Sequence, residues 1–439
     1  MASLNRTMFD GLLAITSLDV AHNKLSSIDD FTFENMTFLT TLHLNNNSIV
    51  NMTANTFKGI DSLEKLHLHY NKINELKEDT FSDLQNLASL RLDVNSIASI
   101  EKKAFNGLNS LTSLKLSSND LTQVNGDMLE GVEQLKGLEI DRNWISTIVD
   151  NAFTKTPQLT NLALNLNNMS EISSAFWTGL GKLQKLDLSY NRLKEVKVDS
   201  FKGLINMEHL LLDSNGMQSI EEGAFNGLAD LAYLQVSFNE LTEVTTDMLT
   251  GLGNIVLLDL SGNNLTTLQE SLFAECCGNM TNLLIYNNQI EILDPKWFLG
   301  LYDINKIDLH TNKLRTVPGE IFDLLPSLYY FIVSGNPLQC DCGMLEYRAW
   351  SGCNNPNIQT KCYGPDQYKD KFIEDIPLRE FSDMCSSSCQ SGNTISTIAW
   401  IAIVAGSVFF GVVATIGIGF IRRRMKSNRG EEDRENMIS

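Results

Sequence analysis

Several familiar catalytic signatures are missing from this 439-residue chain. There is no H-E-x-x-H, no G-x-S-x-G, no phosphate-binding glycine loop and no C-x-x-C pair, so metalloprotease, serine-hydrolase, nucleotide-hydrolase and dithiol redox chemistry have no support and no enzyme is expected. Basic residues are also short, 34 against 53 acidic ones, for a net charge of −19. An acidic surface repels phosphate backbones, which argues against a nucleic-acid partner and for basic proteins or neutral surfaces. No cysteine precedes Cys276. A secretory leader is not visible either: Met1 opens a polar, broken segment, and Gly11 to Ile15 is too short for an apolar leader core.

What fills the chain is one sentence repeated. Asn23, Asn47, Asn71, Asn95, Asn119, Asn143, Asn167, Asn191, Asn215, Asn239 and Asn263 stand 24 residues apart, Asn288 follows after 25, and Asn312 and Asn336 complete a set of fourteen. Apolar residues sit three, five and eight places before each, as Leu188, Leu186 and Leu183 do before Asn191. The pattern is L-x-x-L-x-L-x-x-N. Its period-two Leu-x-Leu is a short strand with one inward face, and 24 residues cannot close a core around that face unless neighbouring copies stack. The asparagine amide can donate to and accept from backbone groups that the turn would otherwise bury unpaired. Ten places later the residue is usually Phe (Phe57, Phe201, Phe322), with Leu129, Trp177 and Leu249 as exceptions.

These residues resemble the 24-residue, animal type of extracellular leucine-rich repeat. The resemblance implies an α/β solenoid, a curved horseshoe with a parallel sheet on its concave side, of about fourteen repeats over residues 15–338. Residues 1–14 form a partial first repeat, because Leu4, Phe9 and Leu12 occupy repeat positions without a preceding strand. An N-terminal cysteine cap, which relatives often carry, is missing. The N-terminus therefore reads as incomplete, with a natural short form as the alternative.

After Asn336 the text changes to Pro337-Leu338-Gln339-Cys340-Asp341-Cys342, followed by Trp350, Cys353, Cys362 and Cys385. Here the resemblance is to the cysteine-rich C-terminal cap of the same family, placed at 339–389, and it implies bonds Cys340 to Cys362 and Cys342 to Cys385. Cys353 and Cys389 exceed the pattern and leave the connectivity open. Cys276 and Cys277 interrupt the eleventh repeat. Cys276 is expected in an apolar core slot and Cys277 to begin the one-residue insertion, and two thiols, a bond between them and a bond to another chain all stay open.

Residues 390–394 form a polar link. Ile395 to Ile421 then runs 27 residues without a charge and meets Arg422, Arg423, Arg424 and Lys426. This predicts a transmembrane helix at 395–421 and a cytoplasmic tail at 422–439 too short for a signalling domain, with the repeats outside a plasma membrane. Ser407, Gly411, Thr415 and Gly419 give the span a small-residue face that would suit a homodimer. Sequons beginning at Asn5, Asn35, Asn46, Asn51, Asn168, Asn264 and Asn279 are glycosylation candidates and, with the cysteines, favour an oxidising compartment. A tail anchor with cytosolic repeats is the rival topology.

Two groups of outward-pointing strand residues are candidate ligand contacts. His43, His67, Arg91 and Lys115 should form one column across successive strands, with His69 one column over. A solvated face, a basic or pH-sensitive docking patch and a zinc site are the three readings of it. Farther along, Leu211, Tyr233, Leu257, Leu284 and Tyr286 are apolar and point outward, with Phe238, just before its asparagine, tucked partly inward. Aromatic clusters of this kind anchor protein interfaces. The whole reads as a single-pass cell-surface receptor or adhesion protein that binds a protein ligand on its concave face, needs no cofactor or metal, and resembles Toll-like receptors without their cytosolic domain. The alternative function is a cytosol-facing, tail-anchored scaffold.

Overall fold

The computed structural model describes residues 3–354 and 359–388. The chain divides into two compact units, 1–376 and 377–439, so the cap expected at 339–389 runs across the division. In the second unit the described part holds one helix, Leu378–Ser388. Among the described residues no helix is long and apolar enough to cross a membrane. The span expected at 395–421, its small-residue face, the cytoplasmic tail and Cys389 lie outside the described residues.

The first unit is a parallel β-solenoid of about fourteen turns. Each turn contributes one three-residue strand, from Ser17–Asp19 to Tyr330–Ile332, to a 14-stranded parallel sheet. Register follows the sequence period, with Leu42 opposite Leu66 and Leu66 opposite Leu90. The middle residue of each strand points into the core, and its two neighbours face out. Two-residue strands, such as Ser27–Ile28 and Glu195–Val196, form four separate parallel pairs between neighbouring turns among the described residues.

The asparagines do what their chemistry allows. The Asn191 side-chain amide donates to the carbonyls of Leu188 in its own turn and Leu164 in the turn before, both at 3.0 Å. Its oxygen accepts from the Met169 backbone N–H at 3.0 Å. One side chain thus satisfies three backbone groups in two turns, and leaving any of them bare costs about 1–3 kcal/mol. Asn23, the first of the set, donates within its own turn, to Val20 and Ala21. Behind the sheet, rings ten places after the asparagines stack in runs broken at Leu129 and Leu249, with Phe33 on Phe57 at 6.3 Å and Phe57 on Phe81 at 5.8 Å. Phe9 joins the near end of the first run. Full burial of such a ring is worth roughly 1.5–3 kcal/mol.

The residue before every asparagine has a positive φ, in all fourteen turns. Twelve are not glycine, and the column includes β-branched Val94 and Thr311. This left-handed step costs about 1–2 kcal/mol per residue. It is held by cross-turn bonds such as Tyr70 N–H to Asp93 O and Tyr190 N–H to Asp213 O. The step throws the side chain outward. Phe238, expected to tuck partly inward, is 50% exposed for this reason and lies over the bare Cα of Gly262.

The eleventh turn corrects the reading of its cysteines. The structure bonds Cys276 to Cys277. Cys277, not Cys276, fills the apolar slot, at 1% exposure, while Cys276 is half-buried. The extra residue lies ahead of that slot: the Cys277 N–H reaches back four residues to Phe273, where Leu204 reaches back three to Phe201.

Beyond the last strand, Cys340 is bonded to Cys362, and Cys342 and Cys385 are each disulfide-bonded. The helix Leu345–Asn354 continues the ring ladder, with Trp350 stacked on Phe322 at 4.7 Å. Tyr347 is fully buried beside Phe331, its hydroxyl 3.0 Å from Thr360 Oγ1. Burial raises that phenol further above its ordinary range. The final coil is thereby covered with aromatic surface.

Candidate functional site

The sheet face offers two unlike regions. In turns two to five, His43, His67, Arg91 and Lys115 stand opposite one another in register. The His43 and His67 rings meet at 4.5 Å, and His69 lies 5.7 Å from His67. Burial, then the neighbouring His43, His69, Arg91 and Lys65, depress the His67 pKa to about 4. Burial and Arg91 lower His69 as well, so both rings are neutral at physiological pH. His69 Nδ1 is turned inward and has no hydrogen-bond partner.

The cations of this region are largely spent on local carboxylates. Arg91 makes a two-pronged contact to Asp93, with Nε to Oδ1 at 3.0 Å and Nη2 to Oδ2 at 2.8 Å, and Lys115 holds Glu139 at 2.8 Å. The column therefore presents imidazole rings and paired charge, and little free positive charge. Among the described residues no group of three or more His, Cys, Asp or Glu is placed to hold a metal ion.

Turns nine to thirteen look different. Tyr233, 38% exposed, stacks on His209 at 4.3 Å and faces Leu257 on the next strand. Tyr286 stacks on His310 at 4.4 Å, and His310 Nδ1 is 2.6 Å from Asp308. The structure brings Tyr233 and Leu257 together, but Leu211, Leu284 and Tyr286 fall in other columns. Half-buried Leu211 lies opposite Asp187 and Gln235, and Leu284 opposite Asp259 and Asp308.

The same turns carry carboxylates that the apolar reading of the sequence passed over. Asp213 accepts from the Ser237 N–H at 2.9 Å and hydroxyl at 2.6 Å. Asp259 accepts from Ser261 in the same manner, at 2.9 and 2.5 Å. Burial raises both acids above the ordinary carboxylate range, against the pull of those hydrogen bonds. The signal was present in the repeat: Asp187, Asp259 and Asp308 close their strands at the same outward position, and Asp213 lies two residues beyond its own strand.

A third group was missed altogether. Trp144, 59% exposed, Leu166 and Tyr190 are exposed on three consecutive turns beside the sheet. They occupy the positions just before or after the asparagine, and the left-handed step at Leu166 and Tyr190 explains why they point out. The sequon residues Asn35, Asn51, Asn264 and Asn279 are exposed, and Asn5, Asn46 and Asn168 half-buried. None lies on a strand of the long sheet.

Comparison with known proteins agrees with this geometry. A model described as "Leucine rich repeat" matches residues 181–241, 205–265 and 278–338, and one described as "BspA type Leucine rich repeat region" matches 2–136 and 86–208. The chain is 30% identical over 103 residues to leucine-rich repeat and fibronectin type-III domain-containing protein 4 of Rattus norvegicus, covering 22% of this chain and 16% of that protein. It is 23% identical over 124 residues to the platelet glycoprotein Ib beta chain of Mus musculus, covering 28% and 59%. The crystal structure of a TLR13–ssRNA13 complex superposes with a TM-score of 0.79 at 27% identity, covering 86% of this chain and 55% of that one. The chain thus spans less than two thirds of the length of each of these relatives. Repeat, ladder, cap and matches converge: the chain belongs to the leucine-rich repeat proteins, with homologues among Toll-like receptors and the platelet glycoprotein Ib/IX group.

Proposed function

We propose that the chain is a single-pass cell-surface receptor or adhesion protein that binds a protein ligand on turns nine to thirteen of its sheet face. The carrying observation is the ledge made by Tyr233, stacked on His209 and in register with Leu257, because a ring held by another ring offers contact area at little entropic cost. Two facts support it. No sequon lies on the long-sheet strands, so glycans at the seven candidate asparagines would leave that face clear. The similar proteins are of receptor and adhesion type. In this reading 395–421 crosses the plasma membrane, 422–439 is cytoplasmic, and the small-residue face at Ser407, Gly411, Thr415 and Gly419 pairs two copies. Proteinase protection in intact cells tests the orientation: repeats that stay uncut until the membrane is permeabilised would favour the cytosolic scaffold.

The TLR13 structure carries a single-stranded RNA. On this chain a polyanion along the same face would meet Asp187, Asp213, Asp259 and Asp308 in turns eight to thirteen, and a protein with basic side chains fits that stretch better. The test displays the chain on cells and captures neighbouring surface proteins by proximity labelling. The double variant Tyr233→Ala, Leu257→Ser should lose its specific captures at least tenfold, and undiminished capture removes the ledge from the account.

A further inference from the structure

The vicinal Cys276–Cys277 bond plays no part in the sheet face, yet it is placed for chemistry. A cavity of about 460 Å³ lies beside it, lined by Thr246, Asp247, Thr250, Asn254, Glu275 and Cys276 itself, among others. Cys276 is half-buried and forms part of the wall, whereas Cys277 is sealed in the apolar slot behind it. The Cys340–Cys362 bond has both residues buried. Cys362 also borders a cavity, but it is only 2% exposed and Cys340 is fully buried, so half-buried Cys276 is the most open cysteine of the two bonds.

We propose that Cys276 Sγ is a thiol-exchange site, selective for small cationic thiols. An incoming thiolate attacks Cys276 Sγ; a bond forms between that sulfur and the thiol as the Cys276–Cys277 bond breaks, and the electron pair leaves on Cys277 Sγ. Because its slot is apolar, Cys277 takes up a proton from solvent and does not persist as a thiolate. A second thiol then displaces Cys276. The sum is one protein disulfide and two thiols giving two protein thiols and one small disulfide, with the external thiol as reductant. Attack on Cys277 is blocked by its burial. The reduced Cys277 remains a small hydrophobe in its slot, so the turn keeps its core contact while the cavity gains a modifiable thiol at Cys276. Asp247 and Glu275 on the cavity wall set the charge preference, since both repel an anionic thiol and attract a cationic one.

The test treats the intact chain at neutral pH and low ionic strength with cysteamine or mercaptoacetate, quenches with acid and alkylating agent, and maps adducts by peptide mass spectrometry. Dividing each rate by that thiol's rate with neutral hydroxyethyl disulfide removes differences in intrinsic nucleophilicity. The proposal expects the first adduct on Cys276, none on Cys277, an intact Cys340–Cys362 bond at that time, and a normalised preference for cysteamine of about tenfold. Asp247→Asn with Glu275→Gln should collapse that preference while leaving the site of the adduct unchanged. An adduct on Cys277, earlier opening of Cys340–Cys362, or equal normalised rates for the two thiols would overturn it.

Discussion

Turns two to five and turns nine to thirteen share the same asparagine ladder and the same buried leucines, yet their outward residues have been put to opposite uses. In the first region Arg91 is matched to Asp93 and Lys115 to Glu139, and His67 and His69 are kept neutral by burial and by neighbouring positive charge. The second stacks Tyr233 and Tyr286 on imidazoles and sets half-buried Asp213 and buried Asp259 among them. One repeat scaffold therefore carries a stretch of paired charge and crowded imidazoles and a stretch of stacked rings beside serine-bound carboxylates. Position in the repeat decides which residues face out, and only their chemistry decides whether they need a partner.

The largest expected effect concerns what the two regions share. Asn71→Ala and Asn239→Ala each strip one side chain from three or more backbone groups and should each cost about 3 kcal/mol in denaturant melts. A large inequality between them would mean that the ladder is not uniform. Acidification should separate the regions. The His67 pKa in the folded chain lies below its unfolded value of 6.5, so the unfolded chain binds the proton first and stability falls as pH drops from about 6.5 to 4. After solvent screening the loss is about 1–2 kcal/mol, and His67→Gln should remove it.

Asp213 and Asp259 run the other way. Their folded pKa values are raised by burial, so the folded state holds its protons more tightly, and their contribution to stability improves as pH falls through the raised values. Asp213→Asn keeps an oxygen for Ser237 and should stabilise by about 0.5–1 kcal/mol at pH 7, with the gain shrinking in acid. A destabilised variant at neutral pH would contradict this assignment. The smallest effect is expected for Lys115→Gln, whose ion pair with Glu139 is well exposed and should matter by less than about 0.5 kcal/mol.

Much of the scaffold was legible because its causes are periodic. The spacing of the asparagines fixes the strands, and the alternation Leu-x-Leu fixes which side chains face out, so the column His43, His67, Arg91, Lys115 could be written down from residue numbers alone. Departures from period were harder. The insertion in the eleventh turn could be placed on either side of Cys276 by counting, and only the backbone bond from Cys277 to Phe273 shows which cysteine enters the core. Outward direction also proved a poor guide to availability: Arg91 points out but is held by Asp93, and Leu284 points out among carboxylates. The left-handed step before each asparagine was the least visible feature. It depends on cross-turn hydrogen bonding and not on residue type, and it is what exposes Phe238, Leu166 and Tyr190.

The most direct test of the proposed docking face uses that regularity. Lys115 and Gln235 occupy the same outward column five turns apart, and each is followed two residues later by a serine, Ser117 or Ser237. Lys115→Asn or Gln235→Asn therefore completes a sequon on the strand face, in the first region or beside Tyr233. With both proteins displayed on cells and the added glycan verified by glycosidase shift, partner capture should survive at position 115 and fall at least tenfold at position 235. Capture that persists with a glycan at 235, or that is lost only with one at 115, would contradict the account.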